Sequence, residues 1–136
     1  MRFMILRKAD KKTEEAAMPN QALFAAMGKY MEAMAEAGVL LAAEGLQPSA
    51  KGARVKFSGG TPMVIDGPFT ESKELVAGYT LIQVKSKEEA MEWVRRFPNP
   101  HLDDGEIEVR QLYELEDFGP SETTERFRDM GIATEK

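Results

Sequence analysis

The chain contains no cysteine, which excludes disulfides, thiolate metal sites and a cysteine nucleophile. Histidine occurs once, at His101, with Asp103 and Asp104 close behind it. That falls far short of a zinc or facial-triad metal pattern, so no metal or other cofactor is expected. No apolar run approaches the ~20 residues that a membrane helix needs. Met1-Arg2-Phe3-Met4-Ile5-Leu6 lacks the long apolar region and small-residue cleavage site of a signal peptide. A cytoplasmic location with no membrane partner is therefore expected. Positive charge is also scarce: 18 Lys and Arg face 23 Asp and Glu, for a net charge of −5. Phosphate binding needs concentrated cations, and Arg95-Arg96 is the only adjacent arginine pair, so direct nucleic-acid binding is not expected. Ser58-Gly59-Gly60 lacks the helix and lysine of a phosphate loop, and no serine sits in a nucleophile elbow.

What is present is an ordinary globular composition over 136 residues, 43% hydrophobic and 30% charged, enough for one domain with its own core. Residues 3–7 read as a first strand and residues 10–17 as a charged loop. After Pro19-Asn20, Leu23, Met27, Tyr30, Met31 and Met34 recur at the helical period, and Gly38 is a natural stop. Residues 39–43 form a second strand candidate, broken by Gly45-Leu46-Gln47-Pro48-Ser49. Residues 54–57 and 63–65 flank Ser58-Gly59-Gly60-Thr61-Pro62, the pattern of a β-hairpin. Residues 76–84 are rich in β-formers. Ser86-Lys87-Glu88-Glu89 predicts a capping box, and Ala90, Trp93, Val94 and Phe97 an apolar helix stripe that Pro98 and Pro100 end. Ile107, Val109, Gln111 and Tyr113 alternate with polar residues as a last strand. A polar tail over residues 119–136 carries a short helix candidate over 122–130.

The order β-α-β, hairpin, β-α-β predicts a ferredoxin-like α+β layer with both helices on one face. Apolar residues occupy both faces of the strands, so the uncovered face predicts a homodimer whose sheets meet as an α+β barrel.

Val64-Ile65-Asp66-Gly67-Pro68-Phe69-Thr70-Glu71-Ser72-Lys73-Glu74 resembles the name-giving motif of the DGPF-domain proteins of the YCII-related group. Ala37-Gly38-Val39-Leu40-Leu41 with Glu44-Gly45-Leu46-Gln47-Pro48-Ser49 resembles the family's second-strand segment, and Gly78-Tyr79 follows at the usual place. Ala90-Met91-Glu92-Trp93 is similar to its second helix and Gly105-Glu106-Ile107-Glu108-Val109-Arg110 to its last strand. The likeness covers residues 1–118. It implies a dimeric α+β barrel and, by comparison with lactone isomerases sharing that barrel, small-molecule chemistry. An Asp–His acid/base pair is associated with such relatives, whereas His101 stands far from the N-terminal strand.

Candidate site residues follow from chemistry. Asp66 either caps its turn by accepting from backbone N–H groups or is a general base, and Phe69 is expected to plug the core beneath that loop. Glu44, at the end of an apolar strand, either faces a cavity as a base or pairs with Arg110 or Arg54. Glu71 and Glu74 bracket Lys73, either as a solvated, mutually neutralising loop or helix start or, for Glu71, as a ligand contact. His101 is either an exposed loop histidine or a proton shuttle oriented by Asp103 or Asp104. Tyr79 and Tyr113 place hydroxyls in a cavity or rings in an interface. Met18, Met27, Met31 and Met34 line a helix face, either as core or as an adaptable pocket wall. Two function classes fit. One binds a small organic ligand with cofactor-free acid/base chemistry of isomerase or lyase type, with Asp66 or Glu44 abstracting a proton and Arg110 stabilising an oxyanion. The other is a non-enzymatic interaction or regulatory module. Links of some family relatives with alternative sigma factors permit a transcription-related role for it.

Overall fold

The computed structural model describes residues 1–15, 18–71, 74–100 and 103–136. His101, together with Ser72 and Lys73 of the Asp66–Glu74 segment, lies outside the described residues. Four strands form one antiparallel sheet: β1 (Arg2–Lys8), β2 (Leu40–Gly45), β5 (Val76–Gln83) and β6 (Ile107–Gln111), in spatial order β2-β5-β1-β6. That order, with helix α2 (Gln21–Glu36) after β1 and α3 (Lys87–Arg95) after β5, is the ferredoxin-like arrangement. β3 (Ala53–Ser58) and β4 (Thr61–Asp66) pair only with each other as an inserted hairpin.

Strand alternation sorts the side chains. Thr80, Ile82 and Val84, with Phe3 and Ile5, are buried on one face. Tyr30 and Met34 of α2 and Ala90 and Trp93 of α3 join their cluster, so both helices cover that face. Asn20 caps α2 by accepting from the Leu23 N–H, and Ser86 caps α3 by accepting from the Glu89 N–H. The reciprocal bond of Glu89 runs to the Lys85 N–H at 2.9 Å rather than to that of Ser86, so the expected box closes one residue early. Met18 precedes the helix and is 86% exposed, which removes it from the expected methionine face. The charged stretch expected to be a loop instead holds a one-turn helix, α1 (Lys11–Glu14), with Asp10 and Thr13 as a reciprocal cap.

The opposite face is not left wholly to solvent, as the two-helix count implied. The C-terminal segment docks on its Arg2–Gln83 end. The Arg2 side chain, buried on that face, meets Glu114 at 2.9 Å, and Gln83 exchanges hydrogen bonds with the main chain of Lys136. Leu115 is buried in that segment, and α4 (Glu122–Asp129), capped by Ser121, follows. The polar tail is thus tied to the sheet.

Candidate functional site

The register rows of the sheet define two surfaces. On the helix side one row reads Gly45–Gly78–Arg7–Ile107 and the next Ala43–Thr80–Ile5–Val109. Two facing glycines leave bare backbone where other rows carry side chains. A Cβ on Gly78 would sit 3.0 Å from the Glu44 carbonyl oxygen, whereas one on Gly45 would meet nothing within 4 Å. The result is a hollow of about 210 Å³ under α2, walled by Met27, Met31, Ile5 and Phe97 and edged by Arg7 and Thr80. Glu44, Ala77 and Tyr79 also border it. Alternation turns their side chains to the other face, so they present main chain to its floor.

Phe97 is held in place from behind. Its ring meets Tyr30 edge-on at 5.6 Å, and Tyr30 meets Trp93 at 6.2 Å. The Tyr30 hydroxyl donates to the Trp93 carbonyl at 2.6 Å. Burial disfavours its phenolate and pushes its pKa up to about 12, with nearby Arg96 pulling the other way.

A second hollow, of about 320 Å³, adjoins the first and shares Arg7, Met27 and Phe97 with it. Asp10, Asp103, Asp104 and Glu106 line it, with Lys8 and Arg95 among them. Asn99 and Asp103 shape its rim: the Asn99 amide donates to the Asp103 carbonyl at 2.9 Å and accepts from the Asp103 N–H at 3.1 Å. His101 lies between those two rim residues in sequence.

The remaining candidates are scattered. Glu44 and Tyr79 face each other across β2 and β5 on the side away from the helices, and the same row continues through Leu6 to Glu108. Glu44 makes no ion pair with any described residue, contrary to the expected partners Arg110 and Arg54. Arg110 instead bonds Glu108 at 3.2 Å, and Arg54 lies 3.8 Å over the Phe69 ring. Phe69 is half-buried beneath that guanidinium and stays out of the core cluster, which corrects the plug expected of it. Asp66 is exposed at the end of β4 and its side chain bonds to no described residue. The reason is local: two residues on stands Pro68, which has no N–H to donate. Ser49 does the capping instead. Its Oγ accepts from the Phe69 N–H at 3.0 Å and donates to Glu14 of α1. Glu71 is exposed, and Tyr113 lies beyond β6, 71% exposed and stacked on Phe118. Asp66, Glu71, Phe69 and Arg110 line neither hollow.

Sequence reasoning missed Arg7. The signal was available: Arg7 interrupts an apolar strand at a position whose alternation partners, Phe3 and Ile5, point inward.

The model of one family, the YCII-related domain, matches residues 1–116. An uncharacterised protein of Rhizobium meliloti (strain 1021) is 38% identical over 90 residues, spanning 66% of this chain and 69% of that one. Among solved structures, a 5-chloro-2-hydroxyhydroquinone dehydrochlorinase from Burkholderia phenoliruptrix, in complex with 2,5-dihydroxybenzoquinone, covers 84% of this chain and 95% of its own at 14% identity. Its TM-score is 0.41, too low to bear on this chain's chemistry.

Proposed function

The chain belongs to the YCII-related domain family, and on that premise we propose that it binds a small, flat organic molecule between α2 and the sheet and moves protons on it without a cofactor. One observation carries the reading. An apolar hollow with a glycine floor opens into an acid-lined one, and both share Arg7, Met27 and Phe97. Such a pairing of a greasy pocket with a few convergent polar groups is the usual form of a small-molecule site. In this scheme the ring lies on the Gly45–Gly78 floor. From its sequence position between Asn99 and Asp103, His101 is the proton carrier we propose, because histidine is the side chain whose unperturbed pKa lies nearest neutrality. Glu44 and Asp66, the other acid/base candidates, belong to the opposite face and to the hairpin.

Methionine-methyl NMR tests the binding site. Phenol, a neutral ring, is expected to shift Met27 and Met31, on the hollow, and to leave Met4 unmoved, because Met4 pairs with Leu81 on the other face. The reverse result would move the site to the Glu44–Tyr79 row and make Glu44 the base. The chemistry is tested with 3-cyclohexenone. Its conversion to the conjugated isomer removes a proton beside the carbonyl and returns one to the far end of the double bond. A rate enhancement that survives His101→Gln intact would remove His101 from the mechanism.

The proposal includes a homodimer. Val55, Phe57, Met63, Val64 and Ile65 of the hairpin are all exposed in the single chain, and a second copy is the cover that requires no other partner. Sedimentation at micromolar concentration is expected to give twice the chain mass; a monomer there would end this part. The interaction-module alternative draws on the exposed Tyr113–Phe118 ring pair, and changing both rings to Ser tests it through loss of a bound protein while leaving the docked tail in place.

A further inference from the structure

The chain's arginines are disposed of in recognisable ways, with one exception. Arg2 and Arg110 pair with Glu114 and Glu108, and Arg126 and Arg128 with glutamates about α4. Arg54 and Arg96 lie over the rings of Phe69 and Trp93. Arg95 is exposed to water. Arg7 is half-buried, stands on the helix side between Gly78 and Ile107, and makes no hydrogen bond or ion pair with any described residue. A guanidinium stripped of part of its water and paired with no described carboxylate is poised to take an anion.

We propose that the hollow takes a planar carboxylic acid as its monoanion, with Arg7 as the anchoring cation. This rests on the helix-side site above and names the class of its ligand. The guanidinium offers a fork of N–H donors that matches a carboxylate in two parallel hydrogen bonds. The walls beyond it, Ile5, Met27, Met31 and Phe97, are apolar and adaptable, suited to a hydrocarbon ring. A volume of about 210 Å³ is below that of a drug-sized site and fits a single ring with a short substituent. The bare peptide floor of Gly45 and Gly78 admits a flat face in van der Waals contact, which any side chain there would hold off. The neighbouring hollow sets the charge limit. Arg7 is taken by the first carboxylate, and Asp10, Asp103, Asp104 and Glu106 then outnumber the remaining cations there, Lys8 and Arg95, so a second negative charge on the ligand meets repulsion. One carboxylate is therefore favoured over a phosphate dianion.

The test uses the full chain and three ring probes followed by calorimetry and methionine-methyl NMR: benzoate, benzamide and phenyl phosphate. Benzoate is expected to bind at least about tenfold more tightly than benzamide, the gap set by the charge-assisted fork. Arg7→Met closes that gap by weakening benzoate far more than benzamide, whose carbonyl accepts only a neutral hydrogen bond, and Arg7→Lys leaves an intermediate gap because it keeps the charge and loses the fork. Thermal melts of both variants at or above the parent temperature confirm the fold, since no partner is lost. Gly45→Val fills the hollow and abolishes binding of all three probes. An unchanged benzoate-to-benzamide ratio in Arg7→Met overturns the anchor while leaving the hollow as the site. Probe binding that persists in Gly45→Val overturns the site itself. Phenyl phosphate binding more tightly than benzoate overturns the monoanion preference, and no binding of benzoate at millimolar concentration overturns the whole proposal.

Discussion

The four-stranded sheet and the β3–β4 hairpin are both antiparallel and both rich in β-formers, yet they solve different halves of the same problem. In the sheet, hydrogen bonding and burial coincide: β5 alternates between buried Gly78, Thr80 and Ile82 and half-buried Ala77, Tyr79 and Leu81. In the hairpin every residue from Ala53 to Ser58 and from Thr61 to Asp66 is exposed, although the register is continuous. Pairing thus satisfies the hairpin's backbone and leaves its apolar side chains without cover. A lone two-stranded ribbon is marginally stable. The hairpin's order is anchored instead at its base, where the Gly67 N–H donates to the Gly52 carbonyl and the Ser49 turn grips the backbone at Phe69.

The largest expected effects lie in the covered region. Met34 is fully buried among Tyr30, Trp93 and Ile82, so Met34→Ala is expected to cost about 2–5 kcal/mol in urea unfolding. Phe57, 75% exposed in the hairpin, is expected to cost less than about 0.5 kcal/mol when changed to Ser, measured on dilute protein. The same change is expected to weaken self-association at higher concentration. A large cost for Phe57→Ser at high dilution would break the contrast, because the hairpin would then be packed within its own chain.

The Arg2–Glu114 pair, on the tail-covered end of the other face, comes next. Its side chains are 7% and 17% exposed. Glu114→Ala leaves the Arg2 guanidinium buried and unpaired, for a cost of about 2–3 kcal/mol, below that of a fully buried pair. Hydrogen exchange would read the consequence: faster exchange at Leu112, whose N–H donates to the Arg2 carbonyl, and at Leu115, which donates to Ala133. Unchanged exchange there would show that the tail holds without the pair.

This contrast also marks what the residues announced. The ferredoxin-like order, both helices and the hairpin were legible, because periodicity and turn chemistry are local and the apolar stripes of α2 and α3 agree with their caps. Tail docking was not legible, since its anchor joins Arg2 to Glu114 across 112 positions of chain. The site was half legible. The methionine face pointed to Met27 and Met31, but the choice of Asp66 and Arg110 followed motif and residue type, which carry no information about which face or hollow a side chain reaches. Arg7 was legible as an inward-facing break in an apolar strand, but its place in a row with two glycines appeared only with the register.

A smaller effect tests the wall behind the hollow. Tyr30→Phe removes the hydrogen bond to the Trp93 carbonyl and is expected to cost about 1 kcal/mol at neutral pH. Its pH signature is more specific. The folded pKa, raised from 10.0 to about 12, favours the neutral phenol. The stability linked to that shift is fully present below pH 10 and is lost as pH rises toward 12. The parent is therefore expected to lose stability over that range, and Tyr30→Phe to lose less of it. Parallel curves for the two proteins would remove Tyr30 as the alkaline trigger.

One further expected effect has the opposite sign. If every position on the helix-covered face were close-packed, adding a methyl at Gly45 would destabilise the fold as overpacking does. The space above Gly45 is instead empty to 4 Å, and its strand backbone carries no left-handed φ. Gly45→Ala should then stabilise by roughly 0.5–1 kcal/mol, because glycine in a strand gives up more chain entropy on folding than alanine does. Gly78→Ala, directly across the ladder, brings its Cβ to 3.0 Å from the Glu44 carbonyl oxygen, so the alanine gain is offset by strain. Thermal melts of the two variants separate the cases. A rise for Gly45 with no rise for Gly78 means that the covered face holds a built gap. A loss at Gly45 as well means that α2 sits closer than the hollow requires.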